Sequence, residues 1–192
     1  AELFGPLTGK QGEVLDVIER SAHQLLSLVS DILDFARMRE GQGLLRMSPI
    51  DLVALGQSCI RDIQADAQQK QLRVVIHSAH AEVLVPGDKQ RLKQVFANLL
   101  SNAVKFTPKG GEIGLEIAAP DHAGANAQVQ ITVWDTGIGI APLQQAQIFQ
   151  PFVQLDSGLN KQYAGTGLGL ALVQQIVALH GGSIRVTSQA GG

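Results

Sequence analysis

The chain has 192 residues, of which 45% are hydrophobic and 17% are charged, and its formal net charge is −2. This balance is ordinary for a globular protein whose core needs no metal or disulfide. Cys59 is the only cysteine, which excludes an intrachain disulfide, and the small net charge argues against a nucleic-acid partner. The sequence shows no signal peptide and no apolar run near the roughly 20 residues of a membrane span. We therefore expect a cytoplasmic protein or the cytoplasmic part of a longer membrane protein.

Residues 13–39 form the strongest predicted helix. Their apolar residues alternate in steps of three and four, which is a heptad seam. The seam consists of Leu15, Ile18, Ala22, Leu25, Val29, Ile32 and Ala36. Additional leucines widen the stripe, which suits a helix buried in a bundle. Since the rest of the chain supplies no matching heptads, the pattern predicts a homodimer through this helix.

Beyond the glycine-containing stretch 40–43, predicted strands and helices alternate. Strands are predicted at 44–48, 72–78, 82–86, 111–119, 128–135 and 182–188. A Gly- and Pro-rich connection that contains one short helical piece is predicted at 136–167. Helices are predicted from Asp51 to about 69, capped by Ser48 or Asp51, from Asp88 through Val104, and over 168–180. This order predicts an α+β fold, a two-layer α/β sandwich with helices on one face of a mixed sheet.

The stretch "NLLSNAVKFT" (98–107) places Asn98 and Asn102 on one face of a helix, with Lys105 nearly one turn further on. Buried amides and ammonium groups cost free energy unless a partner satisfies them. Asn102 offers a neutral oxygen of the kind that Mg²⁺ accepts, and Lys105 offers a point charge for phosphate oxygens. We therefore expect these three side chains to face water until a ligand binds.

Two glycine-rich stretches follow. In "DTGIGI" (135–140), Asp135 could accept a hydrogen bond from an exocyclic amine, and Gly137 and Gly139 allow the backbone to approach a flat ligand. "GTGLGL" (165–170) opens a helix, whose free N–H groups and dipole favour phosphate. Each pattern alone is also typical of an ordinary turn, and Asp135 could simply form one. Their occurrence in one order on compatible elements favours a nucleotide site.

These motifs carry a family resemblance. Residues 88–190 resemble the ATP-binding domain of sensor histidine kinases, part of the gyrase, Hsp90, histidine kinase and MutL superfamily. The stretch 98–107 resembles its N box, 135–140 the G1 box, "FQPF" (149–152) the F box and 165–170 the G2 box. Residues 21–38 resemble the second helix of the dimerisation and phosphotransfer hairpin. The implied domains are a partial hairpin at 1–40, a linker and first strand at 41–47, and the ATP-binding domain at 48–192.

The resemblance implies a role for each site residue. Asn102 would bind Mg²⁺, Lys105 would bind a phosphate and act in catalysis with Asn98, and Asp135 would hold the adenine amino group of ATP. Residues 141–164 would form a mobile lid, docked by Phe152. The implied nucleotide contacts are Asn98, Asn102, Lys105, Phe106, Asp135, Gly137, Gly139, Ile140, Phe152, Lys161, Gly165, Thr166, Gly167, Leu168 and Gly169.

The implied reaction transfers the γ-phosphoryl group of Mg–ATP to a hairpin histidine, for relay to an aspartate of a response regulator. ATP-hydrolysing members of the superfamily carry a glutamate where this chain has Asn98, and an amide cannot be a general base, which disfavours a gyrase-like ATPase. Residues 1–4 would end the first hairpin helix and 5–11 would form its loop, so we expect the acceptor to lie upstream. None of the five histidines of the chain matches the acceptor motif of the family. They are His23, His77, His80, His122 and His180. The alternative is a degenerate kinase that acts as a nucleotide-binding or dimerising module.

Overall fold

The computed structural model describes residues 8–39, 45–120, 128–154 and 166–189. The chain divides into two compact units, Ala1–Gly43 and Leu44–Gly192; the predicted domain boundaries stay a prediction. Within the described ranges, no helix has the length and apolar character needed to cross a membrane. The elements are α1 (Gly9–Arg39), β1 (Ser48–Asp51), α2 (Leu52–Gln69), β2 (Arg73–Ser78), β3 (Leu84–Gly87), α3 (Lys89–Phe106), β4 (Glu112–Ala118), β5 (Gln130–Asp135), α4 (Pro142–Gln145) and α5 (Gly169–Leu179).

The first unit contains α1, a helix of 31 residues that begins at Gly9. The predicted start at residue 13 and the predicted loop over 5–11 are therefore wrong at residues 9–12. The cause is a capping box, in which Gln11 N donates to Thr8 Oγ1 (3.4 Å) and Thr8 N donates to Gln11 Oε1 (2.9 Å). The predicted end of a first helix at residues 1–4 lies outside the described residues.

The heptad seam of α1 is exposed in the single chain. Its large residues range from 41% exposed at Ile32 to 61% at Leu25. A continuous apolar stripe of this kind is unfavourable in water and marks a surface that another element covers. The exposure is what a dimerising helix would show, and the homodimer stays a prediction.

The second unit is built on a mixed sheet. Strand β4 pairs in parallel with β2 and antiparallel with β5, while β1 and β3 form a separate antiparallel pair. The predicted α+β class is confirmed. The strand predicted at 44–48 is wrong, because residues 45–47 form no ladder and β1 begins at Ser48, opposite Gly87.

Helices α2 and α3 begin at aspartates, as predicted. Asp51, rather than Ser48, caps α2 by accepting from Val53 N. Asp88 caps α3 by accepting from Gln90 N and Arg91 N, and its second oxygen accepts from Arg46 N at 2.9 Å. Burial is the largest single influence on Asp88 and opposes its charge, but these three N–H groups together outweigh it and hold the pKa of Asp88 below its ordinary value.

The core lies between the sheet and the helices. Ile113, Leu115 and Ile117 of β4 are buried in one cluster with apolar residues of α2 and α3. Helix α2 approaches β4 so closely that a Cβ at Gly56 would lie 2.6 Å from Leu115 Cδ2. Burying each such side chain contributes on the order of 1.5–3 kcal/mol, so this layer fixes where α3 lies.

The final strand predicted at 182–188 is wrong, because residues 182–189 have no regular secondary structure. A strand requires a backbone ladder to a neighbour. Here, side chains make the bonds: Ile140 N donates to Ser188 Oγ, and Gln145 Nε2 donates to Ser188 O. The segment is thereby attached to the residues around Ile140 rather than to a strand.

Candidate nucleotide-binding site

Helix α3 carries the three polar residues singled out by the sequence. Asn98, Asn102 and Lys105 are half-buried, at the border of the apolar stripe that α3 presents to the core. The expectation that these side chains face water until a ligand binds stays a prediction. Helix α5 packs beside α3, where Asn98 Nδ2 donates to Gly169 O at 3.4 Å. This contact joins the predicted N and G2 boxes.

Lys105 lies in the last turn of α3. Its ammonium nitrogen is 4.9 Å from the centre of the Phe106 ring, within cation–π range. Burial lowers the pKa of Lys105, because the charged form loses solvation. A phosphate oxygen would restore that lost solvation, so this ammonium is suited to an anionic ligand.

The end of α3 is held by a residue that the sequence reasoning missed. Lys70 Nζ donates to the carbonyl oxygens of Val104 (2.8 Å), Lys105 (2.8 Å) and Thr107 (3.3 Å). A cation at this position satisfies terminal carbonyls and opposes the negative end of the helix dipole. No local sequence pattern predicts this contact, because Lys70 lies 34 to 37 residues away in sequence from the carbonyl groups it binds.

The loop after β5 is joined to the same end of α3. Asp135 Oδ1 accepts from Gly137 N at 2.8 Å, and Ile138 N donates to Phe106 O at 3.3 Å. A Cβ at Gly137 would lie 2.5 Å from Asp135 Oδ1 and 2.7 Å from Phe106 O, so only glycine permits this approach. Asp135 itself is exposed, with an orientation fixed by the Gly137 bond. Its carboxylate can therefore accept from an exocyclic amine.

The start of α5 meets the predicted F box. Phe152 N donates to Gly167 O at 3.0 Å, and a Cβ at Gly167 would lie 2.9 Å from Phe152 Cα. Gly167 (φ +70°) has a left-handed backbone conformation that suits glycine, and Phe152 (φ +64°) adopts one against its intrinsic preference. Leu168 is fully buried and its N–H donates to Thr166 Oγ1. Helix α5 has no side-chain N-cap, so its first N–H groups suit an anion.

Parts of the predicted site lie outside the described residues. These are Lys161, Gly165 and residues 155–164 of the predicted lid. The described part of that segment contains α4 and the turns leading to Phe152. The mobility of the lid and the nucleotide contact of Lys161 stay predictions.

Two of the described histidines, His80 and His180, have structural partners. Asp88 N donates to His180 Nε2 (3.0 Å), which places the ring proton on Nδ1, where it bonds Ile176 O (2.8 Å). His80 Nε2 lies 3.2 Å from Ala119 O, and His77 is part of β2. His122 and the side chain of His23 lie outside the described residues. The prediction that the acceptor lies elsewhere stays a prediction.

The donor set suits magnesium carried by a nucleotide. In the described ranges, no group of three His, Cys, Asp or Glu side chains could hold a metal ion by itself. Asn102 provides one half-buried amide oxygen, and Mg²⁺ commonly combines one or two protein oxygens with waters and substrate phosphates. The residues therefore fit an ion that arrives with its phosphates rather than one bound in a protein cage.

Comparisons with known proteins agree with this architecture. Residues 87–192 match the family model "Histidine kinase-, DNA gyrase B-, and HSP90-like ATPase", and residues 1–41 match the "His Kinase A (phospho-acceptor) domain". The circadian input-output histidine kinase CikA of Synechococcus elongatus is 41% identical over 98% of this chain and 24% of its own length. The chain thus spans about a quarter of that curated relative.

Two solved structures share the fold. The structure of full-length ShkA in complex with AMPPNP has a TM-score of 0.77 and 34% identity, over 97% of this chain and 38% of that one. The histidine kinase ThkA in complex with the response regulator protein TrrA has a TM-score of 0.65 and 20% identity, over 94% and 48% of the two chains. The chain therefore belongs to the histidine kinase-, DNA gyrase B- and HSP90-like ATPase family, and within it to the sensor histidine kinases, because the phospho-acceptor match precedes the ATPase match.

Proposed function

We propose that this chain binds Mg–ATP between α3, the loop 135–140 and the start of α5. The observation that supports the proposal most strongly is that stretches far apart in sequence lie together. Ile138 forms a hydrogen bond with the end of α3, and Asn98 forms one with Gly169. Phe152 forms a hydrogen bond with Gly167. In this arrangement, Asp135 accepts from the adenine amino group, Asn102 binds the Mg²⁺ ion, and Lys105 neutralises phosphate oxygens.

The proposed reaction is phosphoryl transfer to a histidine of the dimerisation hairpin. A bond forms between an imidazole nitrogen and the γ-phosphorus, and the bond from that phosphorus to the departing ADP oxygen breaks. The chain contributes positioning and charge neutralisation, which dominate catalysis of this chemistry. Asn98 can orient groups but cannot deprotonate water, so histidine transfer is favoured over rapid hydrolysis.

We further propose a cytoplasmic homodimer that passes the phosphoryl group to an aspartate of a response regulator. The exposed seam of α1 supports the dimer, and the phospho-acceptor match at residues 1–41 supports the hairpin. The ThkA complex supports a response regulator as the partner class. A membrane attachment of a longer parent protein is compatible with this proposal.

Titration calorimetry with Mg–ATP tests the site. Asn102→Ala and Asp135→Ala each remove one polar contact, so we expect each to weaken binding about 10- to 100-fold. Ser101→Ala and Asp66→Ala, at exposed positions of α3 and α2, serve as matched controls and should bind like the parent. Parent-like binding by both site variants in folded protein would refute the site, and no binding by the folded parent would refute the proposed function.

A degenerate kinase that only binds nucleotide is the second candidate, favoured by the structural partners of His80 and His180. Mixing the chain with a complete hairpin that carries an acceptor histidine separates the two. Acid-labile phosphohistidine on the hairpin supports the kinase, and its absence despite Mg–ATP binding supports the module. Fast steady-state hydrolysis would instead support a gyrase-like ATPase.

A further inference from the structure

The peptide groups of Ile140 are held by two side chains from outside the loop 135–140, one of them five residues away and the other 48 residues away. Ile140 N donates to Ser188 Oγ (2.9 Å), and Gln145 Nε2 donates to Ile140 O (3.0 Å). The same Gln145 nitrogen also donates to Ser188 O (2.9 Å). We refer to Gln145 and Ser188 together as the Ile140 clamp.

The chemistry of the clamp is specific to its two residue types. A glutamine amide nitrogen has two N–H donors, and here both are directed at carbonyl oxygens. The Ser188 hydroxyl accepts from a backbone N–H, which an aliphatic side chain cannot do. Ile140, Gln145 and Ser188 are all half-buried, so water competes for these bonds less than it would at the surface.

The clamp acts on the far end of the loop 135–140. The near end is fixed where Ile138 N meets Phe106 O on α3. Between these anchors lies Gly139, whose φ of +67° is a glycine conformation with little intrinsic preference for one geometry. Without the bonds to Ile140, the loop would be anchored only as far as Ile138, and the residues after it would adopt more conformations.

We propose that Gln145 and Ser188 are positioning residues that hold the base-binding loop of the nucleotide site in its binding conformation. The inference rests on the proposed function, in which this loop contacts the adenine base. Ordering the loop before binding removes an entropic cost from binding itself. The clamp acts through Ile140, so its effect concerns recognition of the base rather than the phosphates, which are assigned to Lys105 and the start of α5.

The test compares binding of Mg–ATP and Mg–GTP by the 192-residue chain. Gln145→Leu and Ser188→Ala should each weaken Mg–ATP binding about tenfold, equivalent to one lost hydrogen bond. Binding of Mg–GTP should weaken less, because guanine has a carbonyl where adenine carries its amino group. The ratio of ATP affinity to GTP affinity should therefore fall. Ser188→Thr keeps a hydroxyl and should restore most of the affinity.

Matched controls are available nearby. Gln147→Leu and Ser183→Ala change the same residue types at exposed positions and should leave both affinities unchanged. A role in stability alone would lower the unfolding temperature of the clamp variants while the ratio of ATP to GTP affinities stays at the parent value. That result, or parent-like ATP binding by both clamp variants, overturns the inference while the proposed function stands. A folded parent that binds no Mg–ATP overturns both.

Discussion

The long helix α1 and the second unit use similar apolar patterns with opposite outcomes. In the second unit, Leu100 of α3 and Ile176 of α5 are 0% exposed, because neighbouring helices and the sheet of the same unit cover them. In α1, Leu25 is 61% exposed, since the described residues of its unit form a single helix. Apolar periodicity therefore specifies which face of a helix is buried and leaves open which chain buries it.

A matched pair of leucine substitutions tests this contrast most strongly. Leu100→Ala leaves a cavity in a packed core, so we expect the free energy of unfolding of the second unit to fall by about 2–5 kcal/mol. Leu25→Ala should change it by less than about 0.5 kcal/mol. Urea unfolding followed by fluorescence of Trp134, the only tryptophan, measures the second unit directly. Equal losses from both substitutions would show that the two units unfold together.

Association of α1 is tested by placing a charge in its seam. Leu25→Lys would bury an ammonium in each half of the proposed dimer interface, so the dimer dissociation constant should rise at least about 100-fold. Sedimentation equilibrium measures this constant. Ser30→Lys, at an exposed position beside the seam, is the control and should leave association intact. A parent chain that is monomeric at high concentration contradicts the dimer.

Within the second unit, Lys70 is predicted to stabilise the end of α3. Lys70→Met keeps the length of the side chain but leaves the carbonyls of Val104, Lys105 and Thr107 without their donor. We expect a loss of about 2 kcal/mol in the free energy of unfolding. The urea experiment measures the loss, and Lys70→Arg should recover part of it because a cationic donor is retained. If Lys70→Met had the same free energy of unfolding as the parent, water would be shown to replace the ammonium as the donor to these carbonyls without a loss of stability.

The smallest expected effect is the contribution of the Asp88 carboxylate to stability, which depends on pH. Its carboxyl has a lower pKa in the folded state, so its ionisation stabilises the fold above the unfolded pKa of about 4 and loses this effect as the pH falls through the folded pKa. Asp88→Asn should cost about 1 kcal/mol at neutral pH, since its amide nitrogen cannot accept from Arg46 N. The difference from the parent should shrink as the pH falls from about 5 through the lowered pKa of the folded state. If the unfolding free energies of the parent and of Asp88→Asn changed with pH in parallel, the stabilising role of the Asp88 carboxylate would be contradicted.

Local chemistry made much of the second unit predictable. The caps at Asp51 and Asp88, and the apolar period of α3 and α5, depend on residues within a few positions of one another. The start of α1 was predictable in the same way from Thr8 and Gln11, and the prediction missed that capping box. The strand predicted at 182–188 failed for another reason, since its residue types suit a strand but strand formation depends on a partner.

For the candidate site, the sequence determined which residue types are available: the amides and ammonium of α3, the carboxylate of Asp135, and the glycines that permit close backbone approach. Only the tertiary structure decided how these groups are held. Lys70 reaches the end of α3 across 34 residues of sequence, and Gln145 reaches Ser188 across 43. Hydrogen bonds between segments so far apart follow from how the helices pack on the sheet, because packing sets the distances that no local pattern encodes.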